Sequence, residues 1–496
     1  MSNTLYIFLL LASSIVPAVF IFFLKEYQRT VRNFLNLSAV VLKIFFVFYL
    51  FNAVTAGKKF FFSYEFLEGL DFVLKVDYLS LLFAALSSIL WLFTVIYAIG
   101  YLKNSAYQSR FFGFFSLCIT ATIGLSMAGN LFTFFIFYEF LTLVTIPLII
   151  HKQNKESKKA LIIYLKHTVF AGVLFLMGIS LLYFHTGSVE FTSSGYLQEY
   201  TDVSPLYWQI SFVILIFALG VKAAIFPLHG WLPQAMAAPA PVSALLHAVA
   251  VVKAGAFGII RVVYEVYGIE FAQELHLLYF LMVIASVTII YGSIMALYQT
   301  DIKKRLAYST VSQVSYIVLG VSIFGPLGTI GGIVHLVHQG VMKITLFFCA
   351  GAFMETFGIK KIQQMNGLGK RMPLSSIAFT IAAFGMIGLP PTAGFITKWY
   401  LVLGSVENDL WLIVGVLTLS SLLNATYFLP MVYRIWFEQP LDLQRKLTGY
   451  KGFESSLMFV VPLVFTAVLT LLLGVFAFSD FSALQWVISI VRREYS

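Results

Sequence analysis

The chain has little cysteine and little charge, and each shortage excludes whole classes of function. Only 2 of its 496 residues are cysteine and only 11% are charged, where soluble chains carry about 25% charge. Cys118 and Cys349 both fall within long apolar stretches, unspaced, so they form neither a disulfide framework nor a metal motif. There is no Gly-rich phosphate loop, no CxxC pair and no soluble domain. The largest polar connections, 57–77, 186–207 and 437–455, are too short to bind a nucleotide or a flavin. No cofactor is expected, and whatever energy drives the protein arrives through a gradient or a partner subunit. Acidic residues are scarce as well, 22 against 32 Lys and Arg, for a net charge of +10.

What is present is apolar: 60% of the chain is hydrophobic. A spanning helix needs roughly 20 apolar residues, and about fourteen such segments are found, at 4–24, 34–56, 78–101, 110–129, 131–150, 160–185, 208–228, 240–263, 277–299, 305–325, 328–355, 375–402, 408–437 and 454–480. The expected fold is an all-α polytopic membrane protein. The segment Met1–Ser14 has no basic n-region and reads as part of a first span rather than a cleaved signal peptide.

The positive surplus could suggest nucleic acid, but its distribution is that of a membrane topology. Alternate connections hold Lys25/Arg29/Arg32, Lys103/Arg110, Lys152/Lys155/Lys158/Lys159, Lys303/Lys304/Arg305, Lys360/Lys361/Lys370/Arg371 and Arg445/Lys446/Lys451. The other set has Lys58, Lys59 and Lys75, with Arg492 and Arg493 in the tail; its acidic loops around Glu190–Asp202 and Glu265–Glu274 contain no Lys or Arg. By the positive-inside rule the first set is cytoplasmic and both termini face out. No nucleic-acid partner is expected.

Against this background, charges inside the spans stand out. Lys222, Lys253, Lys343, Lys398, Glu139, His247, His335 and His338 all lie in apolar stretches. Each charge at mid-bilayer costs roughly 2.5–3.5 kcal/mol on insertion scales, so intramembrane ionisable groups mark ion or proton pathways. Lys43, Lys166 and Arg434 lie within about two turns of an expected cytoplasmic end, and Arg261 of the outer end; long basic side chains reach the headgroups by snorkelling, and these four are assigned mostly to that role.

Two spans are interrupted. The seventh reads LGVKAAIFPLHGWLP (219–233), with Pro227 and Pro233 after Lys222; the twelfth reads MIGLPPTAGFITKWYL (386–401), with Pro390, Pro391 and Gly394 before Lys398. Proline removes a backbone donor and clashes with the preceding turn. Two Gly/Pro-interrupted spans five helices apart, each with one lysine, point to internal repeats with the transport site at the breaks. A five-helix unit is odd, so its second copy is inverted. The expected division is 1–109, a three-helix segment; 110–263, the first repeat (spans four to eight); 277–437, its inverted copy (spans nine to thirteen); and 454–496, a last helix with a short tail. The plainer alternative is two ordinary proline kinks.

Lys222 and Lys253 sit near the middle of their spans. His247 and Lys253 are six residues apart, about 9 Å along an α-helix, which suits a water-bridged relay. Burial favours the neutral form of a lysine and a nearby carboxylate the charged form, so a lysine whose carboxylate can move away is a switchable proton site. Glu139, the one acid near the centre of an early span, is the natural partner for Lys222; the alternative is a static pair that fixes packing. His335 and His338 are at i, i+3 and share a helical face, and imidazole titrates near neutral pH. A metal site there would lack a carboxylate or cysteine to complete it.

The run KAAIFPLHGWLPQAMAAPAPVSALLHAVAVVKAG (222–255) closely resembles the signature of antiporter-like subunits in respiratory complex I, a superfamily shared with Mrp-type cation/proton antiporters and the membrane arms of energy-converting hydrogenases. TDIKKRLAYSTVSQVSYIVLG (300–320), the Lys343 helix and LPPTAGFITKWYLV (389–402) carry the same resemblance, over roughly 75–440. It implies fourteen core helices with inverted repeats and a hydrophilic axis at the membrane midplane. It further implies that Glu139 and Lys222 form a switching pair, that His247 and Lys253, then His335 and Lys343, form relays, and that Lys398 is terminal, at a position that is Lys or Glu across the family. Members commonly carry the second histidine of the eleventh helix four residues after the first; here that position is Gln339 and His338 precedes it. The chain ends about sixteen residues after the last span, without the long lateral helix of some relatives.

The function expected is that of a proton-translocating subunit, itself without a redox centre, in a redox-driven or Mrp-type complex of a prokaryotic inner membrane. Its partners are other membrane subunits, the lipid bilayer and H⁺, with Na⁺ as a further candidate ion. The rivals are a subunit of a gradient-driven Na⁺/H⁺ antiporter and a membrane anchor for a soluble, carbonic-anhydrase-like protein.

Overall fold

The computed structural model describes residues 3–67, 70–440 and 454–495; Arg445, Lys446 and Lys451 of the last basic connection lie outside them. An apolar segment in lipid must satisfy its backbone groups internally, and the chain accordingly folds into helices at each expected span: α1 Asn3–Phe23, α2 Arg29–Thr55, α3 Tyr78–Tyr101, α4 Gln108–Ser126, α5 Leu131–Ile149, α6 Lys155–Thr186, α7 Pro205–Ala223 with the short α8 Trp231–Gln234, α9 Ala240–Ala248 with α10 Val251–Arg261. The second half holds the short α11 Ile269–Glu274, α12 Leu277–Leu297, α13 Ile302–Ser322, α14 Pro326–Phe357, the short α15 Leu368–Arg371, α16 Pro373–Ile387 with α17 Ala393–Glu407, α18 Trp411–Trp436, α19 Leu457–Val475 and α20 Ala483–Glu494.

Among the described residues 12 helical segments are long and apolar enough to cross a membrane. The expected tenth and twelfth spans fall short of that measure for different reasons. Ser309, Thr310, Ser312, Gln313 and Ser315 make α13 polar, and the twelfth span is divided into α16 and α17.

Both interruptions expected from proline are present. Helix α7 ends one residue after Lys222, Ala224 turns to φ 58°, and a 3₁₀ turn at Leu228–Gly230 leads into α8. Helix α16 ends at Ile387, and Gly388 takes φ 92°. The bonds Phe226–Pro227 and Pro390–Pro391 are cis. Pro233 sits inside α8 and Gly394 in the first turn of α17. A Cβ at Gly394 would lie 1.9 Å from the Gly385 carbonyl oxygen, so only bare backbone lets the two halves of the twelfth span touch there.

A third interruption divides the eighth span at Val249–Ala250, between His247 and Lys253. The 9 Å rise expected between those residues assumed an unbroken helix. Beyond α10 the chain continues as a π-helical turn, Val262–Tyr267.

The connection 57–77, expected to be merely polar, is an antiparallel hairpin of β1 Phe60–Leu67 and β2 Leu70–Val76, registered Phe60 to Val76. The expected tail is the amphipathic α20, which buries Leu484, Val487, Ile490 and Val491. Helices α9, α10 and α14 form the interior and are buried along their lengths, while α2, α6 and α18 expose residues such as Phe48, Val173 and Leu422 at the periphery. The ionisable side chains of interest are therefore carried largely by the most enclosed helices.

Candidate functional site

The site begins where α7 stops. Lys222, in its last turn, is fully buried and donates to the carbonyl of Tyr138, the residue before Glu139, with its ammonium 3.3 Å from the centroid of the Tyr138 ring. That ring is held by its hydroxyl, which donates to the Ala218 carbonyl at 2.9 Å. Glu139 is half-buried on α5 with Oε1 unpartnered among the described residues, and its charge and that of Lys222 are near enough to interact. The two expected partners are thus neighbours, with the lysine held by backbone and ring rather than by the carboxylate.

Helix α10 packs on α7 beside Lys222. A Cβ at Gly255 would lie 2.3 Å from the Ala223 nitrogen, so glycine is what permits this approach. Two residues earlier, Lys253 is fully buried and its Nζ has no hydrogen-bond partner among the described residues. Across the Val249–Ala250 break, His247 has both ring nitrogens unpartnered and packs its ring 4.7 Å from Phe347 of α14.

On α14, His335, Gln339 and Lys343 follow at i, i+4 and i+8 and so share one stripe. That stripe faces α13: the His335 ring lies 5.4 Å from that of Tyr316, and Lys343 donates to Ser309 Oγ and, at 3.2 Å, to the Leu306 carbonyl. The Gln339 amide is fully buried, and among the described residues neither its nitrogen nor its oxygen has a partner. His338 is turned away from this stripe, its Nδ1 hydrogen-bonded to Thr397 Oγ1 of α17 at 2.9 Å. Next to Thr397, Lys398 reaches back across the break to the Ile387 carbonyl at 2.6 Å and the Met386 carbonyl at 3.5 Å, and to Ser421 Oγ of α18 at 2.8 Å. It thereby caps the free carbonyls at the end of α16, where a cation also meets the negative end of the helix dipole.

The charges form a set of two parts, Glu139 with Lys222 and a larger one that includes His247, Lys253, His335, His338, Lys343 and Lys398. Those of Lys253 and Lys343 act on one another, Lys343 acts on His247, and Lys253, His338 and Lys398 act on His335. Six residues of this set, Glu139, His247, Lys253, His335, His338 and Gln339, each keep at least one buried polar atom without a partner among the described residues. Leaving such a group unsatisfied costs about 1–3 kcal/mol; together they describe an interior that suits mobile water and protons far better than apolar packing.

Two of the four residues assigned to snorkelling do something else. Lys43 is fully buried and donates to the Leu10 carbonyl at 2.7 Å. Arg261 is 1% exposed and pairs with Asp77 at 2.8 Å and with Glu265. Proximity to a span end did not reveal that partners from other elements enclose them, although the i, i+4 spacing of Arg261 and Glu265 was a local signal. Sequence reasoning also passed over Tyr138, Ser309, Thr397 and Ser421; the run of Ser, Thr and Gln within α13 was the trace that could have found the second of these.

A family model described as NADH:quinone oxidoreductase/Mrp antiporter, TM, matches residues 128–424. The chain is 36% identical over 393 residues to NADH-quinone oxidoreductase subunit N of Desulforudis audaxviator, covering 77% of each. It is 27% identical over 483 residues to a Na(+)/H(+) antiporter subunit of Alkalihalophilus pseudofirmus, covering 95% of this chain and 94% of that one. Its fold is like that of a chain in the Mrp complex from Dietzia sp., with a TM-score of 0.89 at 22% identity, covering 100% of this chain and 98% of the other.

Proposed function

Because the chain belongs to the NADH:quinone oxidoreductase/Mrp antiporter membrane family, we propose that it is a proton-translocating, antiporter-like subunit of a multi-subunit membrane complex. The observation that carries this reading is the row of buried, unpartnered polar atoms on α9, α10 and α14, with a bonded lysine near each end. An inert helical bundle gains nothing from such groups, whereas a chain of titratable nitrogens bridged by water moves protons.

In this reading Lys222 is the switch. Held by Tyr138 it is uncommitted; drawn to Glu139 it is fixed as the cation, and release of that carboxylate lets it pass a proton to Lys253. His247, His335 and Lys343 relay it, Gln339 orients water between the last two, and Lys398 is the terminal site. Spans four to eight and nine to thirteen are inverted copies, and the fourteen crossings leave both termini outside a prokaryotic inner membrane. The ion is H⁺. A gradient-driven Na⁺/H⁺ antiporter component is the second reading, favoured by the near full-length likeness to an antiporter subunit.

Lys253→Ala tests the pathway cleanly, since its ammonium has no hydrogen-bond partner to lose among the described residues. In the purified complex reconstituted into liposomes, assembly persists and proton movement falls to background. Normal proton movement in that variant would refute the reading, and a rate that requires Na⁺ would favour the second.

A further inference from the structure

A second group of ionisable side chains lies away from this axis, at the end of the molecule shared by the hairpin and α20. Asp77, joining β2 to α3, caps that helix by accepting from Ser80 N at 2.7 Å. Arg261, at the end of α10, pairs with it and with Glu265 of the π-helical turn, and donates to Ser80 Oγ at 3.0 Å. Glu265 is 4% exposed; its Oε1 takes Arg261 and the Tyr495 hydroxyl (2.9 Å), while Oε2 is buried without a partner among the described residues. Glu494 of α20 accepts from Tyr78 N at 3.0 Å through Oε1, and its Oε2 is likewise buried and unpartnered.

Three carboxyls thus gather around one guanidinium that pairs with only two of them, and full ionisation would leave Glu265 Oε2 and Glu494 Oε2 charged without a donor among the described residues. An uncompensated buried charge costs several kcal/mol, so the group neutralises instead. Among the described residues, none of the other cations facing the group donates to Glu265 Oε2 or Glu494 Oε2. Lys75 of β2 acts on Asp77, the Arg493 guanidinium is engaged by Tyr78, and Tyr264 stacks on Tyr495 at 4.4 Å. Lys58, Lys59 and Glu190 line the open cavity of about 620 Å³ that adjoins Asp77 and Glu494.

We propose that the Asp77–Arg261–Glu265–Glu494 cluster is a proton-binding site that holds one exchangeable proton between Glu265 and Glu494 and hands it to the water of the adjoining cavity. This rests on the proton-translocating reading and extends it: Lys253 lies eight residues, about 12 Å, inward along α10. Burial first, then the charge of Asp77, raises Glu494 to about 8, with Arg261 opposing. Asp77, half-buried at the cavity's edge, stays below the usual carboxylate range because Arg261 outweighs the desolvation that would raise it.

The test is infrared difference titration of the full chain in its complex, paired with proton movement in liposomes. Wild type should lose a protonated-carboxyl band with a midpoint near pH 8. Glu494→Gln, which keeps an acceptor for Tyr78 N, and Glu265→Gln should each abolish that titration and remove the corresponding step from the pH profile of translocation; Glu494→Asp should restore both at a shifted midpoint. An unchanged titration in both Gln variants overturns the site. Loss of the band with an unaltered transport profile overturns its place in the pathway. The infrared arm reads protonation alone, so it decides the site even if the wild-type complex moves no protons.

Discussion

Lys398→Met is the substitution in which structure and transport separate most clearly. It removes an ammonium that bonds the Ile387 carbonyl and Ser421 Oγ at 2.6 and 2.8 Å. The buried Ile387 carbonyl left without this donor costs about 1–3 kcal/mol; Ser421 Oγ, part-buried and still donating to the Leu417 carbonyl at 2.9 Å, adds little. Against this, the variant no longer carries a charge within the bilayer, which relieves roughly 2.5–3.5 kcal/mol on insertion scales. The opposing terms nearly cancel, so the complex should assemble, with the α16–α17 junction loosened by at most a few kcal/mol. Translocation has no such compensation, because methionine cannot take up a proton. Proton movement in liposomes, normalised to assembled complex, should therefore fall to background. Lys398→Glu should retain more activity than Lys398→Met, with its optimum at lower pH, since only a protonated carboxyl can donate to the Ile387 carbonyl. Full transport by an assembled Lys398→Met complex would refute this reasoning and remove Lys398 from the pathway.

Three further expectations address other parts of the molecule. Lys222→Ala and Glu139→Ala should each abolish proton movement in an assembled complex; Gly172→Ala, whose Cβ would lie 2.8 Å from Glu139 Oε1, the free end of a flexible side chain, should displace that carboxylate and slow transport with little change in detergent-melting temperature. On α14, Gln339→Ala should reduce translocation more than His338→Ala, because Gln339 shares the stripe of His335 and Lys343 while His338 faces α17; the reverse ranking would place the path along α17. Glu494 is raised from 4.5 to about 8 in the folded protein, so folded protein binds more protons than unfolded and the docking it supports is greatest below about pH 4.5 and weakens as pH rises toward 8. Hydrogen exchange in residues 483–494 should accordingly quicken over that interval, and Glu494→Gln should flatten the dependence.

The long apolar spans and the proline breaks were legible because hydrophobic length and a missing donor are local properties. Lys222 and Lys398 were found for the same reason, as isolated charges in apolar runs. The Val249–Ala250 break was not legible: HAVAVVKAG contains no proline, and what ends α9 there is the fit between α9, α10 and α14, a tertiary matter. The hairpin was hidden by reading 57–77 for polarity rather than for the aromatic and β-branched content of FFFSYEFL and LDFVLKV. Arg261 was misassigned because its acidic partners Asp77 and Glu265 come from separate elements. The choice between His338 and Gln339 needed the helix's neighbours, since spacing alone gives each a plausible face.

The interruption at Val249–Ala250 also governs how movement is shared. A continuous helix transmits torque from end to end; a jointed one conveys it only as far as the joint. Arg261 ties the α10 segment to Asp77 of the hairpin and, through Glu265 and Tyr495, to the C-terminal helix. A tug on either would turn Lys253 about the helix axis while leaving His247, on the far side of the joint, at rest against Phe347. The eighth span is thus less a wire than a clutch, able to bring one bearer of charge into or out of line without disturbing the next.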